Sequence, residues 1–443
     1  MNKWLHQLTN TRTIAFSFLI IILSGTLLLT LPAASVSGQP TSFPDALFTA
    51  VSATCVTGLS VQNTGLYWSL FGQIVILSMI QIGGLGFMTF MGMLSIFLKR
   101  KISLTERKIL MQSAGNMRLS GMVRLVKHIV QSTLLFELFG SLLLSIRFIP
   151  QFGLLKGIYY SVFHSVSAFC NAGFDLMGAS SSLTAYESDW LVNITIMLLI
   201  ICGGLGFLVW TEIGIKKWHF AEYSLHAKIV LLTTAVLILT GTIGYLIFEW
   251  NGSMAGYPLP KRILSSLFMS VTTRTAGFNT LDLSALSNAG LILSLILMFI
   301  GGSPGSTAGG IKTTTIAVII LTVIHLSKGN ENVTVMKKRL DHSTIRQAAA
   351  IMLVYLTGIL LSCMAICFIE SDSLGSILFE IVSAIGTVGL SQGITAGLCD
   401  ISKFILILLM YGGRIGALSL LMVFRERAKE APLRRPTEKI LIG

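Results

Sequence analysis

Eight apolar runs recur along the chain, at 13–31, 70–98, 128–149, 190–215, 229–248, 290–326, 348–369 and 404–424. As a helix, a run of about 20 apolar residues crosses the roughly 30 Å hydrocarbon core of a bilayer. Composition agrees: of 443 residues 53% are hydrophobic and 12% charged, and the mean hydropathy is +0.79. The expected class is an all-α polytopic membrane protein. The first run lacks the small-residue cleavage site of a signal peptide and is long enough to span, so it is expected to stay as a membrane helix.

The net charge of +13 does not point to nucleic acid, because the cations cluster between particular spans. Lys99, Arg100, Lys101, Arg107 and Lys108 follow the second run, Lys216 and Lys217 the fourth, Lys337, Lys338 and Arg339 the sixth, and Arg425, Arg427 and Lys429 the eighth. The alternate connections carry Asp45, Asp175, Glu187, Asp282 and Asp400. By the positive-inside rule the basic segments and both termini are expected in the cytoplasm. Six cysteines are scattered with no C-x-x-C and no paired histidines, so neither a zinc site nor a disulfide framework is expected. No nucleophile–base pair, metal-ligand cluster or phosphate loop supports an enzyme.

The outward connections repeat. Each holds about a dozen apolar residues, too few to cross, then a Ser/Thr/Gly string: SATCVTGLS (52–60), SAFCNAGFD (167–175), TTRTAGFNT (272–280) and SAIGTVGLS (383–391). The same position is glycine in each, Gly58, Gly173, Gly277 and Gly389, at separations of 115, 104 and 112 residues. A glycine pair follows in the next span at Gly83-Gly84, Gly203-Gly204, Gly301-Gly302 and Gly412-Gly413. A repeat of this period is fold-level information. It predicts four helix–pore-loop–helix units, at 1–100, 101–220, 221–328 and 329–425, with a cytoplasmic tail at 426–443. Non-helical backbone survives at membrane depth only when buried in protein or lining a watery path. Four such strings around a pseudo-fourfold axis would aim their carbonyls at a common centre, and carbonyls that replace a hydration shell make a potassium filter. The fourth string contains TVGL, close to the start of the potassium-channel TVGYG, with Ser391 where a second filter glycine would stand.

On these strings, and on IQIGGLGFM, GGSPGSTAGGIK and YGGRIGALSL, nearly the whole chain resembles the Trk/Ktr/HKT superfamily of cation transporters, and most closely the bacterial Ktr-type membrane subunit. The resemblance implies potassium uptake across the bacterial plasma membrane, with sodium as a candidate activator. It implies a homodimer with one pore per subunit, and a separate cytosolic ring of nucleotide-binding subunits, which would carry the nucleotide since this chain shows no G-x-G-x-x-G unit. The implied filter comprises Thr54, Cys55, Val56, Thr57 and Gly58; Cys170, Asn171, Ala172 and Gly173; Arg274, Thr275, Ala276 and Gly277; and Gly386, Thr387, Val388 and Gly389. The ion would sit at backbone carbonyls near the four glycines. Sodium-favouring relatives carry serine for the first of these glycines, and Gly58 argues for potassium.

The sixth run is too long for one helix. Its 37 positions would reach about 55 Å at 1.5 Å per residue, and Gly301, Gly302, Pro304, Gly305, Gly309 and Gly310 break it. By the resemblance, Gly301, Gly302, Ser303, Pro304, Gly305, Ser306, Thr307, Ala308, Gly309 and Gly310 form an intramembrane gating loop below the filter, with Lys312 opening the helix beyond. Arg414, deep in the last run, must face a cavity or a partner. It either lines the inner pore as a barrier to cations or bonds loop carbonyls. Arg274 and Glu380 are expected to form a buried ion pair bracing the filter, Glu137 a helix-packing contact, and His164 a satisfied buried histidine. The rival reading is a sodium- or proton-coupled symporter using alternating access, for which only Glu137 offers a midplane carboxylate.

Overall fold

The computed structural model describes residues 10–86, 122–178, 182–217, 219–330 and 332–416. The helices of ten residues or more fall into four cycles. The first contains α1 (Asn10–Leu29), α2 (Phe43–Thr54) and α3 (Leu70–Leu85); the second α4 (Met122–Phe152), α5 (Leu154–Phe169), α6 (Trp190–Leu205) and α7 (Phe207–Lys216). The third contains α8 (Leu225–Phe248), α9 (Leu259–Thr272), α10 (Asn288–Phe299) and α11 (Thr313–Ser327); the fourth α12 (His342–Ile369), α13 (Leu374–Gly386) and α14 (Asp400–Ile415). Between α11 and α12 a two-stranded hairpin pairs β1 (Thr334–Val335) with β2 (Lys338–Arg339).

Local chemistry sets the boundaries. Ser42, Ser69, Ser287 and Ser373 accept a backbone N–H three residues on and start α2, α3, α10 and α13, while Asp189 accepts from Leu191 and Val192 to start α6. A hydroxyl or carboxylate there satisfies amides the first helical turn leaves free. In each cycle the long first helix packs against its short pore helix, α1 on α2, α4 on α5, α8 on α9 and α12 on α13. The long helices α1, α4, α8 and α12 are apolar and long enough to span. They keep large apolar side chains outward, including Ile20, Leu135, Leu239 and the 91% exposed Phe368, as a lipid-facing surface requires.

The returning helices differ from the unbroken second, fourth and eighth runs expected from sequence. Helix α3 ends at Gly86 (φ 80°), α6 at Gly206 (φ 91°) and α14 at Gly416 (φ 94°), a backbone state that stops a helix and that glycine reaches without a Cβ clash. Helix α7 leaves α6 at 96°. At 16 residues each, α3, α6 and α14 reach only about 24 Å. In the third cycle the interruption is the whole segment between α10 and α11. The later parts of the second and eighth runs, the motif residues beyond Gly86 and Gly416, and the tail 426–443 lie outside the described residues.

Candidate functional site

Pore helices α2, α5, α9 and α13 all end at one of the four strings, so the partial negative charge of each C-terminus is directed at the site they enclose. Beyond each helix the chain turns through a left-handed residue two positions before the glycine: Val56 (φ 54°), Asn171 (φ 57°), Thr275 (φ 68°) and Thr387 (φ 50°). The glycines are left-handed too, at φ 95°, 70°, 81° and 92° for Gly58, Gly173, Gly277 and Gly389. Four copies of so rare a conformation for non-glycine residues, in one register, make the repeat a matter of geometry as well as of sequence.

The residue just before each glycine has its N–H tied back to its own pore helix. Thr57 donates to the Ser52 carbonyl at 2.8 Å, Ala172 to Ser167 at 2.8 Å, Ala276 to Thr272 at 2.9 Å and Val388 to Ser383 at 2.8 Å. Side chains brace the strings as well: the Ser52 and Ser383 hydroxyls accept from Gly58 and Gly389 at 3.1 and 3.0 Å, and the Ser167 and Thr272 hydroxyls donate to the carbonyls of Phe174 and Phe278. The carbonyls of Thr57, Ala172, Ala276 and Val388 accept no hydrogen bond among the described residues, although the residues are buried. Buried carbonyls in folded proteins are otherwise almost always paired.

These carbonyls and the glycines interlock in a ring. A Cβ on Gly58 would lie 2.5 Å from the Ala172 oxygen, one on Gly173 2.9 Å from Ala276, one on Gly277 2.6 Å from Val388, and one on Gly389 2.1 Å from Thr57. Each string thus closes on the next, and the fourth on the first. A cavity of about 390 Å³ opens onto all four glycines.

Below the ring lies the segment between α10 and α11. It is pinched at its base, where Gly301 N–H donates to Ile311 and Thr313 N–H to Gly302 at 2.8 and 3.0 Å, and its tip is stitched to the second cycle. Ser303 and Thr307 donate to the carbonyls of Gly204 and Gly203, and Phe207 donates to Gly305 at 2.9 Å. The Thr307 hydroxyl donates to Phe169, the last residue of α5, at 3.0 Å. Added Cβ atoms on Gly309 and Gly310 would meet the Thr387 hydroxyl and the Gly386 carbonyl at 2.1 and 2.9 Å, so the segment lies directly against the fourth string. The Lys312 ammonium folds back onto the Ala308 carbonyl at 2.7 Å.

Arg414 joins these parts. Its guanidinium donates to the carbonyls of Thr307, Gly83 and Gly84, the last at 2.9 Å. Of the two expectations for Arg414, the bond to loop carbonyls is therefore present. The expected Arg274–Glu380 ion pair is absent. Arg274 reaches Thr234 of α8 at 3.5 Å, while Glu380 accepts from Ser391 and from Thr395, the latter at 3.0 Å. Each charge is held within its own repeat: Arg274 lies behind its string against the neighbouring long helix, and Glu380 faces the chain leaving the fourth glycine. His164 is satisfied, contacting the Tyr160 carbonyl through Nδ1 at 2.7 Å and accepting from Leu176 through Nε2 at 3.3 Å. Glu137 accepts from Gln81 of α3 at 3.3 Å, a contact between helices. Among the described residues no group of His, Cys, Asp or Glu could hold a metal ion.

Sequence reasoning placed the glycines in one ring but did not single out the residue before each glycine as the source of the free carbonyls. Nor did it find the breaks at Gly86, Gly206 and Gly416. The signal for these was available in the glycine three residues past Gly83, Gly203 and Gly413.

Comparison with known proteins agrees with this architecture. The sequence profile of the cation transport protein family TrkH matches residues 5–432. The chain is 40% identical to the potassium/sodium uptake protein NtpJ of Enterococcus hirae, over 99% of this chain and 98% of that one. It is 38% identical to the Ktr system potassium uptake protein B of Bacillus subtilis, over 100% and 98% of the two chains. In fold it is similar to the crystal structure of the potassium transporter TrkH from Vibrio parahaemolyticus, with a TM-score of 0.71 at 18% identity, covering 92% of this chain and 84% of the other. With pore helices, strings and returning helices in four matching cycles, and with the family profile spanning nearly its full length, the chain belongs to the TrkH family of cation transport proteins.

Proposed function

We propose that this chain takes up potassium through a channel-like pore along the axis of the four glycines. The observation that carries the reading is the ring of unpaired carbonyls from Thr57, Ala172, Ala276 and Val388, buried and each facing the neighbouring string's glycine. Such oxygens substitute for a cation's hydration shell, and four helix C-termini add negative potential at the same place. The relatives' names, potassium/sodium uptake and potassium uptake, support potassium as the principal ion and sodium as a second ion or activator. With one glycine at the ring position of each string, the filter holds fewer well-defined sites than a TVGYG filter and discriminates less sharply.

In this proposal residues 301–310 are the inner gate. The segment lies under the filter and Arg414 latches it to the end of α3, adding a positive charge beneath the ring. The same reading includes the repeat boundaries given above, cytoplasmic termini in a bacterial plasma membrane, a homodimer, and control by a separate nucleotide-binding cytosolic ring.

Flux into liposomes carrying the purified chain tests the reading, comparing potassium, sodium and choline. Potassium flux above sodium flux, with choline excluded, is the expected outcome. Flux that required an imposed proton or sodium gradient would replace the pore with a coupled carrier.

A further inference from the structure

The cavity above the ring has a chemistry that the filter does not explain. The four strings continue in register past their glycines, and the second residue beyond each, Ser60, Asp175, Asn279 and Ser391, lines the cavity. Three are neutral and one is a carboxylate. Asp282 is the other acid in the lining, and no lysine, arginine or histidine lines it. Asp175 uses one oxygen to accept the Met177 N–H at 2.9 Å, and no cation pairs with it among the described residues. Asp282 is more occupied locally, accepting both the N–H and the hydroxyl of Ser284. The charged or titratable groups nearest by bonding are set back in the pore helices: His164 bonds the Leu176 N–H, and Glu380 bonds Ser391.

We infer that Asp175 is a cation-recruiting residue at the mouth of the pore, drawing monovalent cations from the outer solution to the ring below. This rests on the pore reading. A negative charge lining a narrow cavity raises the local concentration of cations and so their rate of capture; burial pushes the Asp175 carboxyl up to about 6, so the charge is present above that pH. At about 7 Å through water, one unit charge attracts a monovalent cation strongly enough for about a threefold local enrichment. The carboxylate acts before dehydration, so it governs how much potassium half-saturates uptake and leaves the maximal rate to the ring and the gate. Its unequal placement, one acid among four equivalent positions, gives recruitment without a symmetric acidic ring that would hold the ion.

The test is potassium uptake at pH 8 by cells whose own potassium uptake is deleted, expressing the full chain or its variants. Asp175→Asn keeps the bond to Met177 and removes only charge, and Asp175→Glu restores the charge. At about 0.01 M ionic strength, where the screening length is about 30 Å, Asp175→Asn should raise the half-saturating potassium concentration about threefold with the maximal rate unchanged. In about 1 M choline chloride, where that length is about 3 Å, the difference should disappear. Asp175→Glu should behave as the parent. An unchanged half-saturating concentration, or a lowered maximal rate that salt does not alter and Asp175→Glu does not rescue, would overturn the inference. Gly389→Ala in parallel separates the two failures. If Gly389→Ala weakens potassium preference while Asp175→Asn leaves the half-saturating concentration unchanged, the recruitment role falls and the pore stands; if neither variant changes uptake, both fall.

Discussion

Alanine at the four ring glycines should weaken potassium preference in a fixed order: Gly389 most, then Gly58, then Gly277, with Gly173 least. A real Cβ essentially never comes within 3.0 Å of another heavy atom of this kind, and the distances to the facing carbonyl oxygens are 2.1, 2.5, 2.6 and 2.9 Å in that order. The shortfalls from 3.0 Å are therefore 0.9, 0.5, 0.4 and 0.1 Å, and each is the least distance that carbonyl must retreat. All four variants also carry a positive-φ backbone penalty of at least about 1–2 kcal/mol, a cost in stability read separately from the carbonyl retreat that sets the order of ion preference. Retreats of several tenths of an ångström are comparable with the difference in radius between potassium and sodium, whereas 0.1 Å lies within ordinary thermal displacement. The assay is the potassium-to-sodium flux ratio in liposomes for each variant at matched protein content. Equal losses at all four positions, or a larger loss at Gly173 than at Gly389, would refute the reasoning that each glycine exists to admit its neighbour's carbonyl.

Further outcomes follow from the proposed gate. Arg414→Ala removes three charge-assisted bonds to backbone carbonyls, each of a kind contributing about 1.5–3 kcal/mol, and should raise basal cation flux; a folded variant with unchanged flux would show that the latch does not hold the gate. Deleting residues 305–309 should also raise flux, and a folded, inserted but inactive product would count against gating by this segment. Gly206→Ala would place a Cβ 2.8 Å from the Pro304 carbonyl at a φ of 91°, displacing the tip of the loop. Its flux should differ from the parent by severalfold with the ion ratio intact, and a changed ratio with normal flux would contradict the separation of gate from filter.

The fold was legible because its information is periodic. Apolar runs gave the long spans α1, α4, α8 and α12, and four short apolar segments ending in a shared glycine gave the pore helices. What stayed hidden depends on backbone direction. That Val56, Asn171, Thr275 and Thr387 adopt left-handed states is not written in their side chains, which include a β-branched valine and two threonines that ordinarily avoid that region. Tertiary closure of the ring imposes it. The ends of α3, α6 and α14 were hidden for another reason: apolar flanks keep hydropathy high across Gly86 and Gly206, so an apolar window runs straight past the glycine that ends the helix. Arg274 and Glu380 show the limit of pairing charges by sequence, since two buried ions of opposite sign can each find hydroxyls nearer than one another.

The most direct test of the central claim is anomalous diffraction from crystals of the protein soaked in thallium or rubidium, which substitute for potassium. The account predicts density on the axis between the carbonyls of Thr57, Ala172, Ala276 and Val388, and loss of that density in Gly389→Ala. Ions bound elsewhere, as at Glu137 behind the second string, with none on the axis, would contradict it.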